Sequence, residues 1–295
     1  METASLLLQP LAPFDFGASL RFLREFPATA GEQIVGDDDL IKALREGGCT
    51  VLALLTSTGT VDKPELSCEL TADEALDPPV LAAVEDRLRF WLGLDDDVAD
   101  FYGRADPEFS EVVRQLYGYH QVKFPSPVEH VCWAILGQRT PMRVAQTIKR
   151  RLVEAYDNRF EVDDTEVWAF PDLDQLRSLG ADDLGSLVGN QRKVGYLHGA
   201  FEALADVDEE FLRHGSYDEV RDFLLSIPGI GPWSASFVLI RGLGRSEDIP
   251  FEKEAASAAS RIYGRELDED EFRQLAARYG SWQGYWGHYL RVASL

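Results

Sequence analysis

The 295-residue chain is 45% apolar, with 16 Phe, 10 Tyr and 6 Trp, which is enough for a substantial core and for more than one domain, since single cores seldom grow beyond about 250 residues. Its three cysteines, Cys49, Cys68 and Cys132, stand far apart with no CxxC pair, which excludes a disulfide framework, a structural zinc site and a cysteine-held iron–sulfur cluster. A net charge of −22, from 29 basic and 51 acidic side chains, works against non-specific contact with nucleic acid.

The first third mixes element types. Ala18–Arg24 has helical spacing, Cys49–Ser57 is apolar and β-branched, and Glu65–Leu70 alternates, so the chain to about Leu76 reads as a small α+β unit with a few strands. Asp77-Pro78-Pro79 marks a break, which sets the expected domains at 1–80 (α+β) and 81–295 (helical). From Val80 onward the apolar runs have 3.6 periodicity: Val84–Leu94, Pro107–Leu116, Pro127–Tyr156, Leu173–Leu179, Gln191–Leu204, Tyr217–Leu225, Trp233–Gly242, Lys253–Tyr263, Glu269–Tyr279 and Gly284–Val292. Ser126-Pro127-Val128-Glu129 reads as a capping box with proline at the first helical position.

Charge is spread unevenly. Met1–Pro127 carries 10 basic and 23 acidic residues, a net −13, and 128–295 carries 19 and 28, a net −9. Glu129–Arg151 alone holds five basic residues (Arg139, Arg143, Lys149, Arg150, Arg151) against one acid. An acid coat of this kind is also the usual adaptation to a salt-rich cytoplasm, where repulsion from phosphate is screened within a few ångströms, and a halophilic source is expected. No run approaches the roughly 18 apolar residues of a membrane span, and METASLLLQPLAPFDF lacks the basic flank and long apolar stretch of a signal peptide. A cytoplasmic protein with no membrane partner is expected.

Pro228-Gly229-Ile230-Gly231-Pro232 joins two helical segments, and the hairpin, 226–233, has two readings. It is an ordinary helix–helix turn, or its glycines clear side chains from one face so that successive N–H groups beside a helix start grip a phosphate oxygen. The surrounding pattern, LLSIPGIGPWSA from Leu224 to Ala235, resembles the helix-hairpin-helix of DNA base-excision glycosylases. EHVCWAILGQRTPMRVA (Glu129–Ala145) is similar to the helix that precedes this hairpin in the DNA-3-methyladenine glycosylase II family. FPDLDQLRSLG and NQRKVGYLHGAFEAL resemble the family's middle helices, PLAPFDFGASLRFLREFPA its N-terminal domain, and ARYGSWQGYWGHYL its last helix.

The resemblance implies an α+β fold, in which a TBP-like N-terminal antiparallel-sheet domain precedes an all-α helix-hairpin-helix (HhH-GPD) bundle of two helical subdomains. It also implies a monomer acting on double-stranded DNA that contains a damaged base, which is flipped into a cleft. The hairpin residues Gly229, Gly231 and Ser234 would hold the phosphate backbone. Gln138 and Arg139 would enter the gap left by the base, with a plain surface arginine as the other reading of Arg139. No organic cofactor and no side-chain metal site is implied, only a monovalent cation, Na⁺ or K⁺, at hairpin carbonyls.

The family's catalytic carboxylate is an aspartate nine residues before Arg-[LI]-[YG]-G. Arg261-Ile262-Tyr263-Gly264 fits that trailer and puts Glu252 at the position, 21 residues after Gly231. A glutamate keeps the charge and adds a methylene. The other readings are a helix-start acid set favourably on the macrodipole, or Asp248 or Glu254 in the role. Members that also cut the strand carry a lysine two residues after the second hairpin glycine, where this chain has Trp233, so hydrolysis without lyase activity is expected. Trp233 and Phe237, spaced i,i+4, and Trp282, Tyr285 and Tyr289 near the C-terminus stand as base-pocket aromatics, with a core stripe as the alternative for the first pair. Direct counting puts Arg291 where the family has a pocket tryptophan. Arg143, Lys149, Arg150 and Arg151 read mainly as a solvated helix face, and the five histidines are assigned nothing. The reading is a monofunctional N-glycosylase for alkylated purines; the alternatives are a catalytically inactive DNA-binding relative and an oxidised-purine glycosylase.

Overall fold

The computed structural model describes residues 1–29 and 31–293. Five antiparallel strands, β1 (Glu2–Leu8), β2 (Gln33–Val35), β3 (Asp39–Glu46), β4 (Cys49–Ser57) and β5 (Leu66–Ala72), form one sheet in the order β1-β5-β4-β3-β2. The central strand buries Val51, Ala53 and Leu55 on one face, the period-2 pattern of a half-covered strand. That face is closed by α1 (Phe16–Glu25), through Phe16, Leu20 and Leu23, and by α2 (Pro78–Leu92), through Val84, Leu88 and Trp91.

The Asp77-Pro78-Pro79 break is therefore the start of a helix that belongs to the sheet. Asp77 caps α2 by accepting the Val80 N–H at 3.0 Å, and Pro78 takes the first helical position. A division at residue 80 cuts through α2, whose apolar stripe faces the sheet, so the first unit extends to about Leu94.

The helical part has two cores. One joins α3 (Val98–Gly103) and α4 (Ser110–Gln115) to the end of the chain, α13 (Lys253–Ile262), α14 (Glu269–Ala277) and α15 (Gln283–Val292), around Phe101, Phe109, Phe272, Tyr279 and Trp286. The other is built from α5 (Pro127–Gly137), α6 (Met142–Glu154), α7 (Leu173–Ser178), α8 (Ala181–Val188), α9 (Gln191–Ala205), α10 (Glu209–His214), α11 (Tyr217–Ser226) and α12 (Pro232–Gly242), around Leu136, Leu152, Leu197 and Val238. The run expected as one helix over Pro127–Tyr156 is two, separated by a loop at 138–141 that becomes part of the site. A hairpin of two four-residue strands, β6 (Arg159–Val162) and β7 (Thr165–Trp168), interrupts the helices and packs Val167 against Ala43 on the second face of the sheet.

Lys149 corrects the reading of 143–151 as a solvated face. Its ammonium is buried and donates to Glu129 Oε1 (2.7 Å), to the Ala28 carbonyl (2.6 Å) and to Glu32, which also meets buried Lys42 at 3.4 Å. Glu129 gives up the reciprocal half of its capping box for this contact, leaving Ser126 Oγ to accept the Glu129 N–H at 3.2 Å. Burial pulls the Lys149 ammonium towards neutrality, but Glu129 and Glu32 outweigh it and raise its pKa. The cluster ties α5 and α6 to the sheet unit. Lys149→Met leaves two buried carboxylates without their shared cation and is expected to cost about 3–5 kcal/mol, read from urea unfolding; a loss below about 0.5 kcal/mol would instead mark Lys149 as a surface residue.

Candidate active site

The hairpin is held from behind. Gly229 has φ +89°, and a Cβ there would lie 2.5 Å from the Tyr196 ring, so both backbone and space demand glycine. Gly231 is different: its φ of −95° suits any residue, and a Cβ would meet nothing within 4 Å. The fold does not require a glycine at 231, whose open side lies at the N-cap of α12. Pro232 removes one of the unpaired N–H groups of that helix, leaving those of the remaining first turn without intrahelical partners.

Gln138 links the loop after α5 to the hairpin. Its side-chain NH₂ donates to the Gly229 carbonyl (2.6 Å) and to Ser234 Oγ (3.3 Å). Thr140 Oγ1 donates to the Gln138 carbonyl at 3.0 Å, and the Lys193 ammonium reaches both Thr140 Oγ1 and the Leu136 carbonyl. Gln138 is thus a brace of the loop rather than a free wedge. The free residue is Arg139, exposed and held at φ +49°, a left-handed conformation that non-glycine residues seldom adopt and that clusters at functional sites. Gln138, Arg139, Met142, Gly231, Trp233 and Phe237 line an open cleft of about 600 Å³. A second cleft of about 620 Å³, between α6 and the β6–β7 hairpin, is lined by Glu154, Glu161, Asp164 and Glu166, a charge that repels phosphate.

Behind the open cleft lies a small pocket of about 30 Å³, room for a water molecule but not for a purine. Trp233 and Phe237 line both, so they form the wall between them. Trp233 is 52% exposed and its ring centroid lies 5.3 Å from that of Phe237. Phe237 meets His130 edge-on at 4.4 Å, and His130 stacks on Phe124 at 4.0 Å. Burial, then the nearby Arg241 charge, pull the His130 pKa well below the usual histidine value, so the aromatic column beneath Phe237 is uncharged.

Glu252 lines the small pocket from the N-cap position of α13 and makes no side-chain cap bond. Its longer side chain passes the helix start and pairs with Arg291 from α15. Arg291 thus occupies the wall where the counting placed it. Among the described residues, the lining of this pocket contains no lysine; Lys253 is exposed, and Lys123 is paired with Asp96 at 2.6 Å. The remaining polar lining comes from Gln121, Arg241 and His288, none of which carries a sequence signal. Arg241 is buried and donates to the Val122 carbonyl at 2.7 Å, and burial pulls its pKa down to about 10.

Three aromatics expected in the pocket belong elsewhere. Tyr285 and Tyr289 are buried in the core of the C-terminal helices, their hydroxyls bound to Asp96 (2.6 Å) and to Tyr102 (3.0 Å) and the Tyr119 carbonyl. Trp282 donates its Nε1 to Asp100 at 2.8 Å, outside the pocket lining. The spacing that puts them on one face of α15 points that face at Phe101, not at Glu252.

No protein-family model matches the chain. A DNA-3-methyladenine glycosylase of Bacillus subtilis is 28% identical over 207 residues, covering 68% of each chain. A probable bifunctional transcriptional activator/DNA repair enzyme AlkA of Mycobacterium tuberculosis is 27% identical over 289 residues, 96% of this chain and 55% of that longer protein, so the chain spans about half of it. The fold superposes on a 3-methyladenine DNA-glycosylase from Archaeoglobus fulgidus with a TM-score of 0.78, covering 98% of both chains at 19% identity. The chain is similar in sequence to AlkA-like DNA-3-methyladenine glycosylases and shares the fold of a helix-hairpin-helix DNA glycosylase. The hairpin and the loop at 138–141 line the open cleft, and the start of α13 lines the small pocket behind its Trp233–Phe237 wall.

The two hairpin glycines separate structure from binding. Gly229→Ala is expected to cost about 1–3 kcal/mol of stability. Gly231→Ala should leave stability within about 0.5 kcal/mol and weaken duplex-DNA binding, measured by fluorescence anisotropy beside thermal unfolding; undiminished DNA binding by Gly231→Ala would remove the backbone grip. His130 supplies a pH test. Its lowered pKa means the fold holds the neutral form, so its contribution is complete above the unfolded value near 6.5 and is lost as pH falls towards the folded value. His130→Phe should flatten the fall in unfolding free energy between pH 7 and 5 by up to about 1.4 kcal/mol per pH unit.

Proposed function

We propose that the protein is a monofunctional DNA N-glycosylase that flips a damaged, alkylated purine out of duplex DNA and hydrolyses its glycosidic bond, leaving an abasic site, and that it acts as a monomer. One observation carries this reading: Glu252 and the Trp233–Phe237 pair share a pocket behind the open cleft that the hairpin lines. The flipped base enters against the rings, whose electron-rich faces favour an electron-poor purine. Movement of the half-exposed Trp233 joins the small pocket to the open cleft and makes the room that the closed pocket lacks.

Bond cleavage builds positive charge on the sugar, and a carboxylate close to it lowers that barrier. Arg291 marks the place. The Glu252 carboxylate pairs with the Arg291 guanidinium, and the developing oxocarbenium would take that cation's position as the arginine gives way. Water attacks the sugar carbon and passes its proton to the Glu252 carboxylate, the base leaves with the bonding pair, and an alkylated purine needs little help from a general acid. Trp233 in place of the lysine nucleophile supports hydrolysis without strand cleavage.

A monovalent cation at the hairpin would be structural. Ile227 O already accepts the Ile230 N–H (3.0 Å) and Gly229 O accepts from Gln138, and each carbonyl keeps a second lone pair for such an ion.

Duplexes holding single alkylated or deaminated purines, incubated with the protein and then treated with alkali, test the activity. Glu252→Gln is expected to lower excision by about a hundredfold or more while abasic-site binding survives, and borohydride should trap no protein–DNA adduct. No alkali-labile sites across the panel, with DNA binding intact, would leave a binding protein instead. Parental excision by Glu252→Gln would move catalysis to another residue.

A further inference from the structure

The Glu252 pocket holds one polar side chain that neither the fold nor the reaction uses. Gln121 lies in the extended segment between Gly118 and Phe124, is completely buried, and lines the pocket. Its backbone is fixed, because its N–H donates to the Tyr285 hydroxyl at 2.7 Å. Its neighbours are fixed too: the His120 ring is bonded to the carbonyls of Gly93 (2.5 Å) and Pro13 (2.9 Å), and the Val122 carbonyl accepts from Arg241. The amide nitrogen and oxygen of Gln121 both lack a hydrogen-bond partner. Native proteins rarely leave a buried primary amide unpaired at both ends, and where they do a ligand or water is the usual reason. A pocket of about 30 Å³ has room for a water in the free protein, to be displaced when a base enters.

A primary amide presents a donor and an acceptor side by side. That pair matches adjacent groups on a purine edge: N6–H₂ beside a ring nitrogen in adenine, and, with the amide turned over, O6 beside N1–H in guanine or hypoxanthine. The geometry points to Gln121 as a base-reading residue, whose amide hydrogen-bonds the edge of the flipped purine and favours lesions that keep an adjacent donor and acceptor over lesions whose edge is bridged. The inference rests on the glycosylase reading above. It gives the pocket a selection rule that stacking on Trp233 or Phe237 lacks, because every purine has a face to stack.

The test compares lesions, not variants alone. Single-turnover excision is measured for the parent, Gln121→Met and Gln121→Leu on duplexes holding 7-methylguanine or hypoxanthine, which keep O6 and N1–H, and 1,N6-ethenoadenine, whose bridge removes the N6 donor. Gln121→Met is close in volume to glutamine and keeps the pocket filled. Both variants should lose about tenfold or more on the first two lesions relative to ethenoadenine, the loss of one or two neutral hydrogen bonds. Binding to abasic-site DNA and the thermal midpoint should stay at parental values, which a merely structural glutamine would not allow. An unchanged ratio between lesion types, or a parent that excises ethenoadenine alone, would overturn the role of Gln121. A parent that excises no lesion would overturn the glycosylase reading itself, and Gln121 with it.

Discussion

The buried ammonium of Lys149, held between Glu129, Glu32 and the Ala28 carbonyl, is the contact on which the geometry of the site rests. It joins two helices, α5 and α6, to the sheet unit from the inside. The loop those helices enclose carries Gln138 and Arg139, and Gln138 in turn holds the hairpin through Gly229. Two walls of the cleft are therefore positioned by helices anchored at Lys149 and by the separate bonds of Gln138 to the hairpin. Such buried bonding has value only when complete, since each buried polar group left unpaired costs more than its bond returned.

The acidic coat and a DNA-directed site coexist because the charges are separated in space. Glu154, Glu161, Asp164 and Glu166 line the cleft between α6 and the β6–β7 hairpin, while the hairpin side presents Arg139, backbone N–H groups and aromatic rings. Backbone donors grip phosphate without adding net positive charge. A protein of net charge −22 can in this way approach DNA at one face and repel it elsewhere, which restricts the orientations in which it meets the duplex.

Much of this was legible in the sequence. The hairpin and the helix start at Ser126 rest on local patterns a dozen residues long, whereas Asp77-Pro78-Pro79 reads as a break and is the start of α2. What escaped depended on distant partners. Lys149 sits among Arg143, Arg150 and Arg151 in a pattern that looks solvated, and Glu32, the acid that buries it, lies 117 residues away. The β6 and β7 strands have four residues each and expose charged side chains, too little periodicity to register. Tyr285 and Tyr289 share an aromatic face with Trp282, but nothing local says which way α15 turns that face. Gln121 belongs to no periodic run, and the lack of a hydrogen-bond partner at either end of its buried amide is visible only in the structure.

The tight approach of Tyr196 to Gly229 has a consequence for the nucleic acid. With the ring behind it and Gln138 beside it, the hairpin has little freedom to adjust, so fitting the duplex to the cleft falls to the DNA. The cost of that deformation depends on the base steps being bent, and flexible pyrimidine–purine steps yield most easily. Under the proposed function, base pairs that the protein never touches would influence how readily a lesion is found, a damaged base in a soft sequence context being reached before the same base in a stiff one.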